Sequence, residues 1–298
     1  LPFQDYGGPG DHIDPALLKD QSRFDRILLG GRPMALRYSK RGDQVYVANY
    51  LLNAVQVVDV PNRKIARTIP LGAAPTPSLA RQGETIFYDA GRSFDQWYSC
   101  HSCHYEGHSN AVVMDTKNDG RYGNYKTVLS LRGAAETGPW FWHGTVNDLN
   151  AALKQSLIDT MQGNTPSDDD VNAVAAFIRT LKLPPNANRQ APDLKDAIAR
   201  GEAVFQSAKA GCAHCHPAPL FTDGKKHDVG LGSKGDVYPT YNPPSLRGVY
   251  DRIVYLHDGR AKNLEEVLKG PHNPAKVTGN GELTDAEMKD LLAYLRSL

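Results

Sequence analysis

Cys100-His101-Ser102-Cys103-His104 and Cys212-Ala213-His214-Cys215-His216 decide how the rest of this chain is read. Each is a C-x-x-C-H stretch. Two thiols three positions apart can bond the two vinyl groups of one porphyrin, and the histidine that follows falls under the iron. These four are the only cysteines in the chain, so none is left over. A zinc site built from two C-x-x-C pairs is the competing reading. It does not call for a histidine directly after both second cysteines, and the pairs lie about 112 residues apart. The motifs predict two covalently bound haem c groups, held by Cys100, Cys103, Cys212 and Cys215, with His104 and His216 as proximal iron ligands.

The chain has 298 residues, enough for two or three domains with their own cores. Its net charge of +1 gives no electrostatic case for nucleic acid or an anionic membrane surface. No apolar run is long enough to span a bilayer. The sequence opens Leu1-Pro2-Phe3 with no signal peptide, which reads as a processed or excised product. Haem c is attached outside the bacterial cytoplasm, so a periplasmic or extracellular location is expected. The 27 glycines and 20 prolines point to long ordered loops between short helices.

Residues 1–77 read as an N-terminal arm, in which His12 is a solvated loop histidine, followed by a small all-β segment. Ile27-Leu28-Leu29, Met34–Tyr38, Val45-Tyr46-Val47, Ala54–Val60 and Ile65–Ile69 are strand-like, with turn signals at Gly42-Asp43 and Pro61-Asn62. Leu29-Gly30-x-x-Pro33, Gly42 and Val45-Tyr46 recur as Leu71-Gly72-x-x-Pro75, Gly83 and Ile86-Phe87, a period of about 42 residues that suits a propeller blade. Val45-Tyr46-Val47-Ala48-Asn49 followed by Val55–Val60 resembles the YVTN family of β-propeller repeats. One blade cannot close a propeller, so further blades upstream are expected; a small β appendage is the alternative.

The remainder is an internal duplication. Ala80-Arg81-Gln82-Gly83-Glu84-x-x-Phe87 matches Ala199-Arg200-Gly201-Glu202-x-x-Phe205, Ser130-Leu131-Arg132-Gly133 matches Ser245-Leu246-Arg247-Gly248, and Ala176–Leu181 matches Ala293–Leu298. His143-Gly144 is set against His257-Asp258-Gly259. Leu149 and Leu153 then match Leu264 and Leu268. The fold class expected is mainly α: two tandem class I cytochrome c domains over 78–183 and 194–298, joined by a Pro/Asn-rich linker at 184–193. Val171, Val174, Ile178 and Leu181 form the stripe of one terminal helix, capped by Ser167. Met288, Leu291, Leu292, Leu295 and Leu298 form the stripe of the other, with a capping box at Thr284-x-x-Glu287. Phe87 with Phe177, and Phe205 with Tyr294, are the expected helix-crossing contacts.

Residues 78–298 resemble the bacterial di-haem cytochrome c peroxidase/MauG family. The motifs that carry this are Leu220-Phe221-Thr222-Asp223-Gly224, His227-Asp228-Val229-Gly230, Pro244–Gly248, His257-Asp258-Gly259-Arg260 and, in the first copy, Phe141-Trp142-His143-Gly144. The resemblance implies that Trp142 relays electrons between the haems; packing over a porphyrin edge is the alternative. It also implies that His257 is structural, and His143 by internal symmetry. The family's calcium positions fall on Thr127, Arg252 and Val254, where only backbone carbonyls could serve calcium.

Distal ligands decide the chemistry, since an open sixth position can bind peroxide and a filled one mostly transfers electrons. His272, about 56 residues after His216, is one candidate, against a surface loop histidine. Met161, about 57 residues after His104, is the other, against a buried methionine ending a helix Asp148–Met161. His108 and Met114 are weaker candidates. The family's catalytic distal Glu position is Gln162, which cannot shuttle a proton. The first reading is therefore a di-haem electron-transfer oxidoreductase served by a redox protein donor or acceptor. The second is an enzyme that reduces hydrogen peroxide or oxidises a partner through high-valent iron. The third is a secreted propeller scaffold with cytochromes appended.

Overall fold

A computed structural model of the chain describes Ser22, residues 25–72 and residues 76–298. His12 and Pro75 lie outside the described residues. The chain divides into two compact units, residues 1–76 and 77–298.

The described part of the first unit is a four-stranded antiparallel meander in the order β1-β2-β3-β4. The strands are β1 (Pro33–Tyr38), β2 (Gln44–Asn49), β3 (Ala54–Asp59) and β4 (Lys64–Pro70). Val47, Ala54, Val57 and Val58 are buried, whereas Met34, Leu36 and Tyr38 on β1 are exposed. Ile27–Leu29 is not a strand. The carbonyls of Leu29 and Gly30 are satisfied by side chains instead: Gln56 Nε2 donates to Leu29 O at 2.9 Å and Asn49 Nδ2 to Gly30 O at 2.7 Å. The 42-residue repeat does not continue as sheet either. Gly83, Ile86 and Phe87 belong to helix α1 (Leu79–Phe87).

Two helix crossings organise residues 77–298. Helix α1 packs on α4 (Asp168–Ile178), and α5 (Lys195–Gln206) packs on α9 (Asp285–Ser297). Phe87 meets Phe177 with ring centroids 5.1 Å apart, and Phe205 meets Tyr294 at 5.3 Å. Both crossings are close because a glycine sits at each. A Cβ on Gly83 would lie 1.8 Å from Ala173 O, and one on Gly201 1.9 Å from Asp290 O. Backbone cannot give way as a side chain can, so Gly201→Ala is expected to cost about 1–3 kcal/mol. An unchanged unfolding midpoint in urea would sink that expectation. The caps form as expected: Ser167 Oγ accepts from Asp170 N–H at 3.1 Å, and Thr284 and Glu287 make a reciprocal capping box.

Between the crossings lie short elements and loops: α2 (Cys100–Cys103), the two-stranded β5 (Val113–Asp115) and β6 (Tyr125–Thr127), α3 (Leu149–Gln155), α6 (Cys212–Cys215), α7 (Leu264–Lys269) and α8 (Pro274–Thr278). The expected helix Asp148–Met161 breaks. Only Leu149–Gln155 is α-helical, and Ser156–Thr160 widens to a π-turn closed by Met161 N–H to Ser156 O at 2.9 Å. A π-turn shifts the face that follows it, so the i+4 series no longer fixes where Met161 points.

The internal repeat is visible as a reciprocal clasp. Trp140 bridges Val146 as Tyr255 bridges Ala261, and Phe141 and Leu256 share a φ of 65°. The backbone therefore pairs Trp142 with His257, and His143 with Asp258, correcting the match of His143 to His257. Across the two copies, Thr127 N–H donates to His257 O at 2.6 Å and Asn242 N–H to Trp142 O at 2.9 Å. Arg132 pairs with Asp251 at 2.8 Å and Arg247 with Glu136 at 2.7 Å.

Candidate haem sites

Each C-x-x-C-H begins as a single helical turn. Ser99 and Ser102 form a capping box before the first; Gly211, at φ 66°, enters the second beside Thr278. The turn places both cysteines of a pair on one face. Its last carbonyl bond fixes the histidine: His104 N–H donates to Cys100 O at 2.8 Å and His216 N–H to Cys212 O at 2.9 Å. All four thiols are free. Burial pushes Cys100 up to about 12 and Cys212 up to about 11, so both are neutral thiols. The pairs also line different cavities, which removes a zinc site shared between them.

The first cavity is lined by Cys100, Cys103, His104, Met161 and Trp142, among others; the second by Cys212, Cys215, His216, His272 and Trp142. Burial pushes His104 and His216 down to about 4, leaving both neutral. His216 Nδ1 lies 2.9 Å from Phe221 O, and His104 Nδ1 3.4 Å from His108 O. In each, Nδ1–H faces a carbonyl, which leaves the Nε2 lone pair available to a metal.

His272 stands in the wall of the second cavity, and its Nδ1 is buried with no hydrogen-bond partner. It is close enough to lower the His216 pKa electrostatically. Met161 is 3 % exposed, with Sδ 3.7 Å from Cys100 Sγ. Met114 Sδ packs 3.4 Å from Cys103 Sγ. His108 is committed elsewhere, to Ser130 Oγ at 2.8 Å and Asp251 O at 2.9 Å. Gln162 is exposed at φ 51°, turned away from the cavity rather than set in its distal wall.

Trp142 lines both cavities and donates from Nε1 to Thr127 O at 2.8 Å. Its ring meets His257 edge-on at 6.2 Å. His257 is 2 % exposed and hydrogen-bonded to Ser233 Oγ at 2.9 Å. His143, expected to be structural, holds Thr240 O through Nδ1 at 2.9 Å but leaves a buried Nε2 without a partner in the first cavity. Spacing within one copy carried no signal for it; its second wall comes from the other copy, where it stacks on Tyr241 at 4.8 Å.

The donor sets fit haem c: two thiols on one turn, an imidazole with its Nε2 lone pair available behind them, and an orphaned polar atom in each cavity. They lend calcium no support: the side chains at 127, 252 and 254 are Thr, Arg and Val, and the Thr127 carbonyl already accepts one hydrogen bond from the Trp142 indole. Among the described residues no three His, Cys, Asp or Glu side chains gather as a metal site.

Comparison with known proteins agrees with this geometry. The family model described as di-haem cytochrome c peroxidase matches residues 77–191, and the cytochrome c model matches residues 198–298. Hydrazine synthase subunit gamma of Kuenenia stuttgartiensis is 27% identical over 274 residues, covering 74% of this chain and 77% of its own. The methylamine utilization protein MauG of Methylophilus methylotrophus is 27% identical over 288 residues, covering 77% and 84%. A solved hydrazine synthase chain from Kuenenia stuttgartiensis shares the fold with a TM-score of 0.67 at 23% identity, covering 78% of this chain and 99% of that one. Among the described residues no helix is long and apolar enough to cross a membrane. With two C-x-x-C-H turns facing two cavities and both family models in sequence along residues 77–298, the chain is an oxidoreductase of the di-haem cytochrome c peroxidase/MauG-like family.

Proposed function

We propose that the chain is an electron-transfer cytochrome built on this scaffold, with both irons closed by protein ligands. Haem c, when bound, supplies one-electron chemistry at iron. Cys100, Cys103, Cys212 and Cys215 attach it, and His104 and His216 hold the proximal positions. His272 takes the sixth position of the second iron. The observation that carries the reading is its Nδ1, buried without a hydrogen-bond partner in the wall of the cavity that His216 also lines. Met161 takes the sixth position of the first, favoured by its burial in that cavity. Methionine ligation raises a haem potential relative to bis-histidine, so the first haem is the high-potential one. Trp142 lies in the wall common to both cavities and serves as the relay.

Absorbance and EPR of the oxidised and half-reduced protein, before and after peroxide, test the whole reading. Low-spin spectra that ignore peroxide support it; a high-spin fraction with rapid turnover overturns it. Met161→Ala is expected to convert the first haem alone to high spin. An unchanged spectrum would sink Met161 as ligand.

The second reading is a peroxide-reducing enzyme. One observation favours it: His143 presents an unpartnered Nε2 in the first cavity, an acid/base group where Gln162 supplies none. The partner in either case is a redox protein, in keeping with a relative that is itself a subunit of hydrazine synthase. The location proposed is periplasmic or extracellular. The four-stranded meander is read as one propeller blade; an intact mass of the natural product equal to this chain alone would sink that.

A further inference from the structure

Trp142, Asn242, Pro244 and Arg252 line both cavities, and of these only Arg252 carries charge. Among the described residues it is also the only lysine or arginine lining the second cavity. Three other cations line the first, and each has its own carboxylate: Lys126 with Asp236 at 2.5 Å, Arg132 with Asp251 at 2.8 Å and Arg247 with Glu136 at 2.7 Å. Arg252 has no carboxylate within ion-pair distance among the described residues; it donates from Nη2 to the Ser245 carbonyl. The internal repeat sharpens the contrast. Arg132–Asp251 and Arg247–Glu136 are mates across the clasp, whereas the residue matching Arg252 in the first copy is Thr137. The guanidinium is thus an addition to the duplicated frame rather than part of it.

A guanidinium stays charged in proteins, and a charge kept from water needs an anion. Each porphyrin brings two carboxylates, which face the same demand. We propose that Arg252 is the charged anchor for porphyrin carboxylates on both sides of the wall, its planar fork of donors serving one from each haem. This rests on the haem reading above. Five N–H donors in fixed geometry suit two carboxylates where a lysine would meet only one well. A fixed positive charge there favours the reduced form of both irons and couples their potentials.

Arg252→Gln and Arg252→Lys in the haem-loaded full chain test this. Haem content is counted by pyridine haemochrome, potentials are read by spectroelectrochemistry, and propionate bending bands by resonance Raman. Arg252→Gln is expected to lower both potentials. At the second haem the shift is at least tenfold in the reduction equilibrium, about 59 mV for one electron. The shift is smaller at the first, where Lys126 and Arg132 remain. Arg252→Lys recovers most of it, and Arg247→Gln leaves the second haem unmoved. Two bound haems with unchanged potentials in Arg252→Gln overturn the proposal, and a shift at one haem only overturns the shared anchor. Where Arg252→Gln does not take up haem, the Raman bands of Arg252→Lys decide: they shift at both haems, and unshifted bands overturn it. Wild-type protein without covalent haem would instead sink the haem reading itself.

Discussion

His272→Ala is expected to convert the second haem from low spin to high spin while leaving the first unchanged. The reason lies in the second cavity. Apart from His216 and His272 its wall is largely apolar, with Leu231, Leu264, Val267 and Leu268 among its lining. His227 and His257 also line it, but both are held: His227 Nε2 bonds Asp223 at 2.8 Å and His257 Nε2 bonds Ser233 Oγ at 2.9 Å. Among the described residues nothing else there offers an unengaged strong ligand, so the vacated position goes to water or stays open. Losing one of two imidazoles also disfavours the ferric form, and the second potential should rise. Burial lowers the His272 pKa, so the ring is neutral and able to ligate at pH 7. Ferric EPR of the variant decides. A retained low-spin signal from both haems would remove His272 from the iron.

What the sequence could reveal followed from locality. The C-x-x-C-H turns are five-residue objects, and spacing alone places two thiols and an imidazole together. The crossings of Phe87 on Phe177 and Phe205 on Tyr294 follow from helical stripes anchored by an aromatic, and Gly83 and Gly201 mark where backbones touch. The distal walls were less legible because they are made between the copies. His143 has Tyr241 as a stacking partner and Trp142 has Asn242 as a backbone partner, each about 100 residues away. The π-turn at Ser156–Thr160 has no periodic signature, so the i+4 series through Met161 ran on past the point where the helix widens. Gln162 was counted into the cavity by alignment with a family position, whereas a left-handed φ of 51° turns it outward. In the sequence Arg252 stands out only as a family calcium position left with a backbone carbonyl; the two cavity linings together show a cation with no carboxylate in the wall they share.

Lys126→Met is expected to lower stability by about 3–5 kcal/mol, because it strands a buried carboxylate. The Lys126 and Asp236 side chains are 8% and 5% exposed and meet at 2.5 Å. Burial by itself would raise the Asp236 pKa. Lys126, the Tyr241 hydroxyl and the Ser233 N–H all donate to that carboxylate, outweigh burial and hold it down at about 2. Against an unfolded value of about 3.9, this depressed carboxylate contributes on the order of 2–3 kcal/mol. The sign follows from the direction of the shift. The contribution is fully present above pH about 3.9 and is lost as pH falls through about 2. The difference between wild type and Lys126→Met should therefore be largest near neutrality and shrink in acid, where the wild type surrenders the same ion pair. The site also reaches the cavities. Lys126 lines the first, Tyr241 and His257 line the second, and Asp236 Oδ2 lies 3.2 Å from His257 Nε2. Loss of the lysine should thus loosen the wall between them as well as the fold. Urea unfolding of both proteins at several pH values checks this, with Lys126→Met/Asp236→Leu as the second variant. Removing both charges is expected to restore most of the lost stability, since no unpaired ion remains. A double variant no more stable than Lys126→Met, or a destabilisation independent of pH, would show that Lys126 acts through packing of its stem rather than through its charge.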